Sequence, residues 1–569
     1  MGALPGENPE FTLAETTADG RARRAALAAM REVAVTPTSA VAYRSTGAVA
    51  VIGPPAEALA AAARLSPPLR CTVVAQREAG PAPTADTRAA ASDVPVLHEK
   101  VIQVTGHLGQ FAVIVAAATP GGAMNLLQKL ESPWTHFDLV LDLTDPPFLR
   151  YELPPPGYYA PGGDATALER AVAELQEMVG EFEKPRFFRY NPDICAHGES
   201  GLTGCTRCLD ACPTNAIISM RDEVSVDPYL CQGAGLCATV CPTGAMTYVY
   251  PTVADQLQRL AATIKAYYAD AGTRPVLLLH DAESGSERLA ALAPRLPENV
   301  IPFEIAELGS LGMDAWLSVL AYGAECVALL PGAPLLHSVV GAVSEQVVFA
   351  GAILEGMGYP VSLIHLLQGD DQTVLAELAA IPLRRAVPRA AFAGIDEKRT
   401  LLRLAIEHLH AVAPAPRAVV PLPAGAPFGE ILVDRAACTL CMSCVSVCPA
   451  GALADGGDLP QLNFIEANCV QCGLCQTACP ESAIRLAPRY LYDASERRRA
   501  RVLNQEEPFY CVVCGKPFAT RKLMDRMTQK LQGHWMYQGA EALRRVQMCG
   551  DCRVREVFRA DAKRREGVE

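Results

Sequence analysis

Nineteen of the 21 cysteines in this 569-residue chain stand in tight groups, and those groups limit what it can fold into. The dominant spacings are C-x2-C and C-x3-C-P. The segment "MGALPGENPEFTLAETTADGRARRAALAAM" has no uninterrupted apolar core of the kind a secretion signal needs, so an amphipathic helix and a cytoplasmic chain are expected. In that setting clustered thiols bind metal rather than pair as disulfides. The other two, Cys71 and Cys326, lie in apolar segments and read as buried small hydrophobes.

Four cysteine segments share one plan, and they come as two pairs. Each has Asp, Glu or Asn shortly before its first cysteine and closes on Cys-Pro, two residues, Ala and an apolar residue. The second pair is complete: Cys438, Cys441, Cys444 and Cys448-Pro, then Cys469, Cys472, Cys475 and Cys479-Pro. In C-x2-C-x2-C-x3-C-P runs, three cysteines wrap one cubane and the fourth crosses to its neighbour. The expected [4Fe–4S] sets are Cys438, Cys441, Cys444 with Cys479, and Cys469, Cys472, Cys475 with Cys448.

The first pair departs from this pattern twice. Nine residues, "AHGESGLTG", separate Cys195 from Cys205, Cys208 and Cys212-Pro. Cys195, Cys205, Cys208 and Cys241 are expected to close a third [4Fe–4S] site, with His197 as a rival to Cys195. In "CQGAGLCATVCP" the second ligand position is Ala234. Cys212, Cys231 and Cys237 then supply three thiolates, which suits a [3Fe–4S] cluster or a [4Fe–4S] cluster with an open site. The run C-x5-C-x3-C-P resembles that of the iron–sulfur subunits of succinate dehydrogenases, which implies the three-iron form.

Two further knuckles, Cys511/Cys514 and Cys549/Cys552, lie 34 residues apart. Four thiolates so arranged suit a closed tetrahedral zinc site, with rubredoxin-like iron as the alternative. From Arg485 onward there are 19 Lys+Arg against 11 Asp+Glu, a local charge of +8 in a chain of net charge −12. The acidic whole argues against a mainly nucleic-acid-binding chain. "SERRRAR" keeps RNA as a third reading, behind a solvated helix face or an acidic protein partner.

Between the cysteine pairs the pattern changes. "TGAVAVIG", "RCTVVAQ", "QFAVIVAA" and "FDLVLDLT" read as buried strands, and so do "PVLLLHD", "VIPFEIAEL" and "ECVALLPG". Helical segments such as "PAEALAAAARL" and "GMDAWLSVLAYG" alternate with them, as parallel sheets covered on both faces require. The apolar stretch 327–354 carries prolines, glycines and Glu345, and reads as α/β core rather than a membrane span. "HDAESGSERL" reads as a plain strand–helix connection rather than an anion site.

The expected fold class is α/β plus α+β, multidomain. An N-terminal arm or helix (1–45) precedes an α/β domain (46–180) and a two-cluster ferredoxin-like domain (181–252). A second α/β domain (253–412), a Pro/Ala linker (413–429), a second two-cluster domain (430–490) and a basic helical zinc-ribbon domain (491–569) complete it.

The four cysteine runs resemble bacterial two-cluster ferredoxin modules. "VIPFEIAEL", "AWLSVLAYGAECVALLPG" and "AILEGMGYPVSLIHL" are similar to the delta subunit of methyl-viologen-reducing hydrogenase. That family uses cysteines there for a [2Fe–2S] cluster; this segment has only Cys326, so the likeness implies the fold without the cluster. "CAHGESGLTGCTRCLDACP" with the basic C-terminal ribbon looks like the large 4Fe–4S proteins found beside molybdenum formate dehydrogenases. That resemblance implies a redox or assembly partner such as a dehydrogenase. No nucleophile–base pair, flavin fingerprint or open catalytic zinc is visible, so the α/β domains are expected to dock partners. Electron relay is the expected function, with a maturation scaffold for a metalloenzyme as the alternative.

Overall fold

The computed structural model describes residues 13–76, 94–117, 122–332, 335–381, 387–457, 459–532, 534–537 and 539–565. The first α/β domain is built on a five-stranded parallel sheet in the order Val96–Leu97, Arg70–Ala75, Ala48–Gly53, Leu139–Asp142, Tyr158–Tyr159. Its central strands are continuous apolar runs because helices and loops cover both faces. The helix Pro55–Leu65 starts where proline is tolerated, at its first turn, and buries Ala58, Ala61, Ala62 and Leu65 on one face.

Two expectations change here. "QFAVIVAA" is a strand, Ala112–Ala116, but it belongs to a separate three-stranded antiparallel sheet with Val101–Thr105 and Ala123–Asn125. Its alternating burial is the mark of a strand with one covered face, whereas the parallel strands are buried on both. The chain before residue 46 is also paired rather than a lone arm or helix. Ala40–Ser45 pairs antiparallel with Gly180–Pro185, which leads into the first cysteine module.

The second α/β domain holds a four-stranded parallel sheet in the order Val300–Ile305, Val276–Asp281, Cys326–Leu330, Ile364–Leu366. The helix Ala18–Glu32 is not a free arm. Ala22, Ala26 and Met30 join this domain's core, and the buried Arg23 donates to the Pro297 and Val300 carbonyls. The helix His337–Gly356 is long and apolar enough to cross a bilayer. Here Val343, Phe349, Ala350, Ile353 and Leu354 pack into the core. In the strand–helix connection after Asp281, that residue's own carboxylate accepts from the Gly285 amide at 2.8 Å. The amides at that helix start thus serve an internal anion.

Segment 413–429 is more than a spacer. Val419–Pro421 forms an edge strand against Ile484–Leu491, and Val420, Leu422, Ala426 and Phe428 enter the second domain's core. The second cysteine module likewise reaches past residue 490, because Arg501–Gln505 pairs with Leu459–Phe464.

Candidate metal centres

In each cysteine run the chain forms an irregular loop and a single helical turn before the last cysteine, which is extended at Cys212 and Cys241. The turns are Arg207–Ala211, Leu236–Val240, Ser443–Ser446 and Leu474–Thr477. Proline after the last cysteine stops the helix and sends that thiol toward the other half of the module.

The thiols gather in sets. Cys438, Cys441, Cys444 and Cys479 line one small cavity; Cys448, Cys469, Cys472 and Cys475 line another. In the first module the thiols acting on Cys208 are Cys241, Cys205 and Cys195. Those acting most on Cys237 are Cys231 and Cys212. Burial pushes the Cys208 and Cys444 thiols up to about 12 and Cys472 to about 11, with neighbouring thiols adding to it. Such crowded, dehydrated sulfurs are poor anions by themselves. Positive metal charge relieves both burdens, so the donor sets fit iron.

The repeat's closing alanine has a structural role that spacing alone did not suggest. Its backbone, or that of the next residue, returns an N–H to the crossing cysteine. Ala452 donates to Cys448 Sγ at 3.3 Å, Ala483 to Cys479 Sγ at 3.3 Å, and Met246 to Cys241 Sγ at 3.4 Å. Gln471 Nε2 adds a side-chain donor to Cys469 Sγ at 3.2 Å. Cationic side chains secure the surrounding backbone. Lys184 donates to the Tyr229 and Cys231 carbonyls at 2.8 and 2.6 Å, and burial lowers its pKa to about 8. Lys522, from the C-terminal domain, donates to the Cys438 carbonyl at 3.1 Å.

His197 is buried, with both ring nitrogens engaged. Nδ1 pairs with the Cys205 carbonyl at 2.9 Å and Nε2 with Ser219 Oγ at 2.7 Å. A carbonyl only accepts, so Nδ1 donates to it, while Nε2 is engaged by the Ser219 hydroxyl. The ring thus pins the inserted loop, and neither nitrogen is free for iron. Ala234 is half-buried within its run, and the Leu308–Ser310 turn packs against it: a Cβ on Gly235 would stand 2.5 Å from Ser310 Cα. Thr239 Oγ1 donates to the Gly309 carbonyl at 2.6 Å, tying the same turn to the module.

The two modules touch between ligand cysteines. A Cβ on Gly204 would lie 2.5 Å from Leu474 Cγ, so the two modules pack there with no room for a side chain. Cys205 and Cys472 are near enough to influence each other electrostatically. Among the fifteen cysteines of the two modules, Cys441 alone is exposed, the others being buried or half-buried.

At the C-terminal site, the Sγ atoms of Cys511, Cys514, Cys549 and Cys552 all lie within 4.8 Å of one another. Cys514 and Cys549 are 3.7 Å apart. A tetrahedron with metal–sulfur bonds of about 2.3 Å has edges of about 3.8 Å, so this set fits a single ion. Among the described residues no other His/Cys/Asp/Glu set converges so closely. Cys71 and Cys326 are buried in the α/β cores, apart from these sets.

The 4Fe-4S dicluster domain family matches residues 437–484 and a second 4Fe-4S dicluster domain family matches residues 203–245. The second match starts after Cys195, at the end of the inserted loop. Hydrogenase-4 component A of Escherichia coli is 41% identical over 56 residues, 10% of this chain and 25% of that protein. The isethionate sulfite-lyase activating enzyme of Oleidesulfovibrio alaskensis is 35% identical over 74 residues, 12% of this chain and 24% of that one. The chain thus spans about a quarter of the length of these curated relatives. One chain of a formate dehydrogenase–heterodisulfide reductase–formylmethanofuran dehydrogenase complex from Methanospirillum hungatei aligns at 13% identity over 58% of this chain and 89% of that one. Its TM-score of 0.17 is too low to establish a shared fold. With two dicluster domains in one chain, the protein is an iron–sulfur protein.

Proposed function

We propose that this chain is an electron-transfer protein whose four cysteine sets form one path across two modules. The observation that carries this reading is the contact between modules at Gly204 and Leu474, each beside a ligand cysteine. The path would run from the Cys212/Cys231/Cys237 set, through Cys195/Cys205/Cys208/Cys241 and Cys448/Cys469/Cys472/Cys475, to Cys438/Cys441/Cys444/Cys479. Clusters held on these thiolates supply one-electron exchange at potentials set by their type, charge, hydrogen bonds and exposure.

The chain's own contribution is insulation and orientation. Apolar cover from Leu236, Leu440, Leu474 and Ile484 keeps water from the sulfurs. Returning amides aim their positive ends at the sulfurs and Lys184 and Lys522 add positive charge nearby, which favours the reduced, more negative state. The exposed Cys441 gives the path a surface end suited to a redox protein, with a dehydrogenase as the proposed class of partner. The C-terminal four-cysteine set is proposed as a structural zinc site beside that end.

The whole chain, reconstituted anaerobically, should hold roughly 15 iron and one zinc. Mixed with a reduced dehydrogenase and an acceptor, it should be reduced and reoxidised within turnover. A dehydrogenase that works normally when made with this chain and then freed from it, while the chain itself never cycles, would replace the relay with a maturation scaffold.

A further inference from the structure

Tyr248 closes the strand Met246–Tyr248 and is only 4% exposed, yet its hydroxyl has no hydrogen-bond partner among the described residues. A buried phenol O–H without an acceptor is costly, and such groups call for an explanation. Its surroundings supply one. The ionisable groups that act on it are Glu307, Cys231, Cys237 and Tyr250. Cys231 and Cys237 belong to the altered set, in which Ala234 replaces a ligand.

The ring is fixed in place. Tyr248 sits opposite Phe188 in the strand pair and stacks on Phe187 at 6.3 Å between centroids. Phe187 in turn fills the space beside Gly233, where a Cβ would stand 2.8 Å from its ring. One aromatic layer therefore connects the Tyr248 ring to the loop that carries the missing ligand position.

We propose that the Tyr248 hydroxyl donates a hydrogen bond to a sulfur of the cluster held by Cys212, Cys231 and Cys237, and so tunes that centre's potential. A donor to cluster sulfur stabilises the reduced state, and its loss lowers the potential. The inference rests on an iron–sulfur cluster occupying that set.

The test is Tyr248→Phe in the full reconstituted chain, which preserves the ring and its stacking. EPR-monitored titration should show the altered centre alone shifted down, by about tenfold in its reduction equilibrium, or roughly 59 mV for one electron. Wild type exchanged into deuterated buffer should show a deuteron coupled to that centre by ENDOR, and Tyr248→Phe should lose it. An unshifted potential with the coupling retained overturns the proposal. Loss of iron from that centre in Tyr248→Phe also overturns it, in favour of direct ligation by the phenolate. If Cys231→Ala/Cys237→Ala leaves iron content and EPR unchanged, the underlying cluster assignment fails instead.

Discussion

Ala234 stands where each of the three sister runs places a ligand thiol, and a methyl group cannot bind iron. Ala234→Cys should convert that centre to an ordinary cubane, adding about one iron per chain and removing the EPR signal of the oxidised three-iron form. Unchanged iron and EPR would mean that Cys212, Cys231 and Cys237 do not share a cluster. A second residue-scale outcome separates Cys195 from His197. Since both imidazole nitrogens are engaged, His197→Ala should keep its module's iron and lose stability, by about 1–3 kcal/mol for the orphaned Cys205 carbonyl. Cys195→Ala should lose a cluster; the reverse pattern by iron analysis would make the histidine the ligand. The cysteine spacing was legible because a crossing ligand set has a fixed rhythm. The histidine's role was not, since Ser219 lies 22 residues on and only the folded hairpin brings it to the ring.

At the scale of elements, the helix Lys398–Ala411 brackets both modules with its first two residues. Glu397 caps it, accepting from the Arg399 and Thr400 amides at 2.9 Å each. Lys398 then donates to the Ala238 and Thr239 carbonyls of the first module at 2.8 and 2.6 Å. Arg399 donates to Pro427, Ala467 and Cys469 of the second and lies 4.7 Å over the Phe428 ring. Arg399→Leu leaves three buried carbonyls unpaired, and a loss of about 3 kcal/mol is expected. The denaturant midpoint for bleaching of the cluster absorbance reads this directly; an unmoved midpoint would remove the bracket. The sequence shows none of it, because a basic pair at a helix start looks like solvated surface. The Pro/Ala segment misleads for a related reason. Pro421 is excluded from central strands but allowed on an edge, and its partner Arg489 lies 68 residues away. The parallel strands were easier to read, since burial on both faces leaves a local apolar run.

In the whole molecule, two modules separated by about 190 residues of intervening chain meet beside their ligand cysteines, with the second α/β domain holding both. The meeting depends on the absence of a side chain at Gly204. An added Cβ there would lie 2.5 Å from Leu474 Cγ and 3.0 Å from the Ala196 carbonyl, so either the leucine or the backbone must yield. Leu474 is fully buried and has little room. Gly204→Val should therefore push the modules apart while each keeps its own ligand set. Iron content and the separate EPR signals should persist. Electron exchange between modules should slow by about tenfold or more, because transfer needs the centres held close in a fixed geometry. Leu474→Ala combined with Gly204→Ala makes room for the new methyl group and should restore most of the rate. Rapid-mixing reduction from the Cys441 end, followed by freeze-quench EPR of the altered centre, separates the outcomes. Equal arrival times in wild type and Gly204→Val would mean that electrons do not cross at this contact, and the two modules would then serve separate partners.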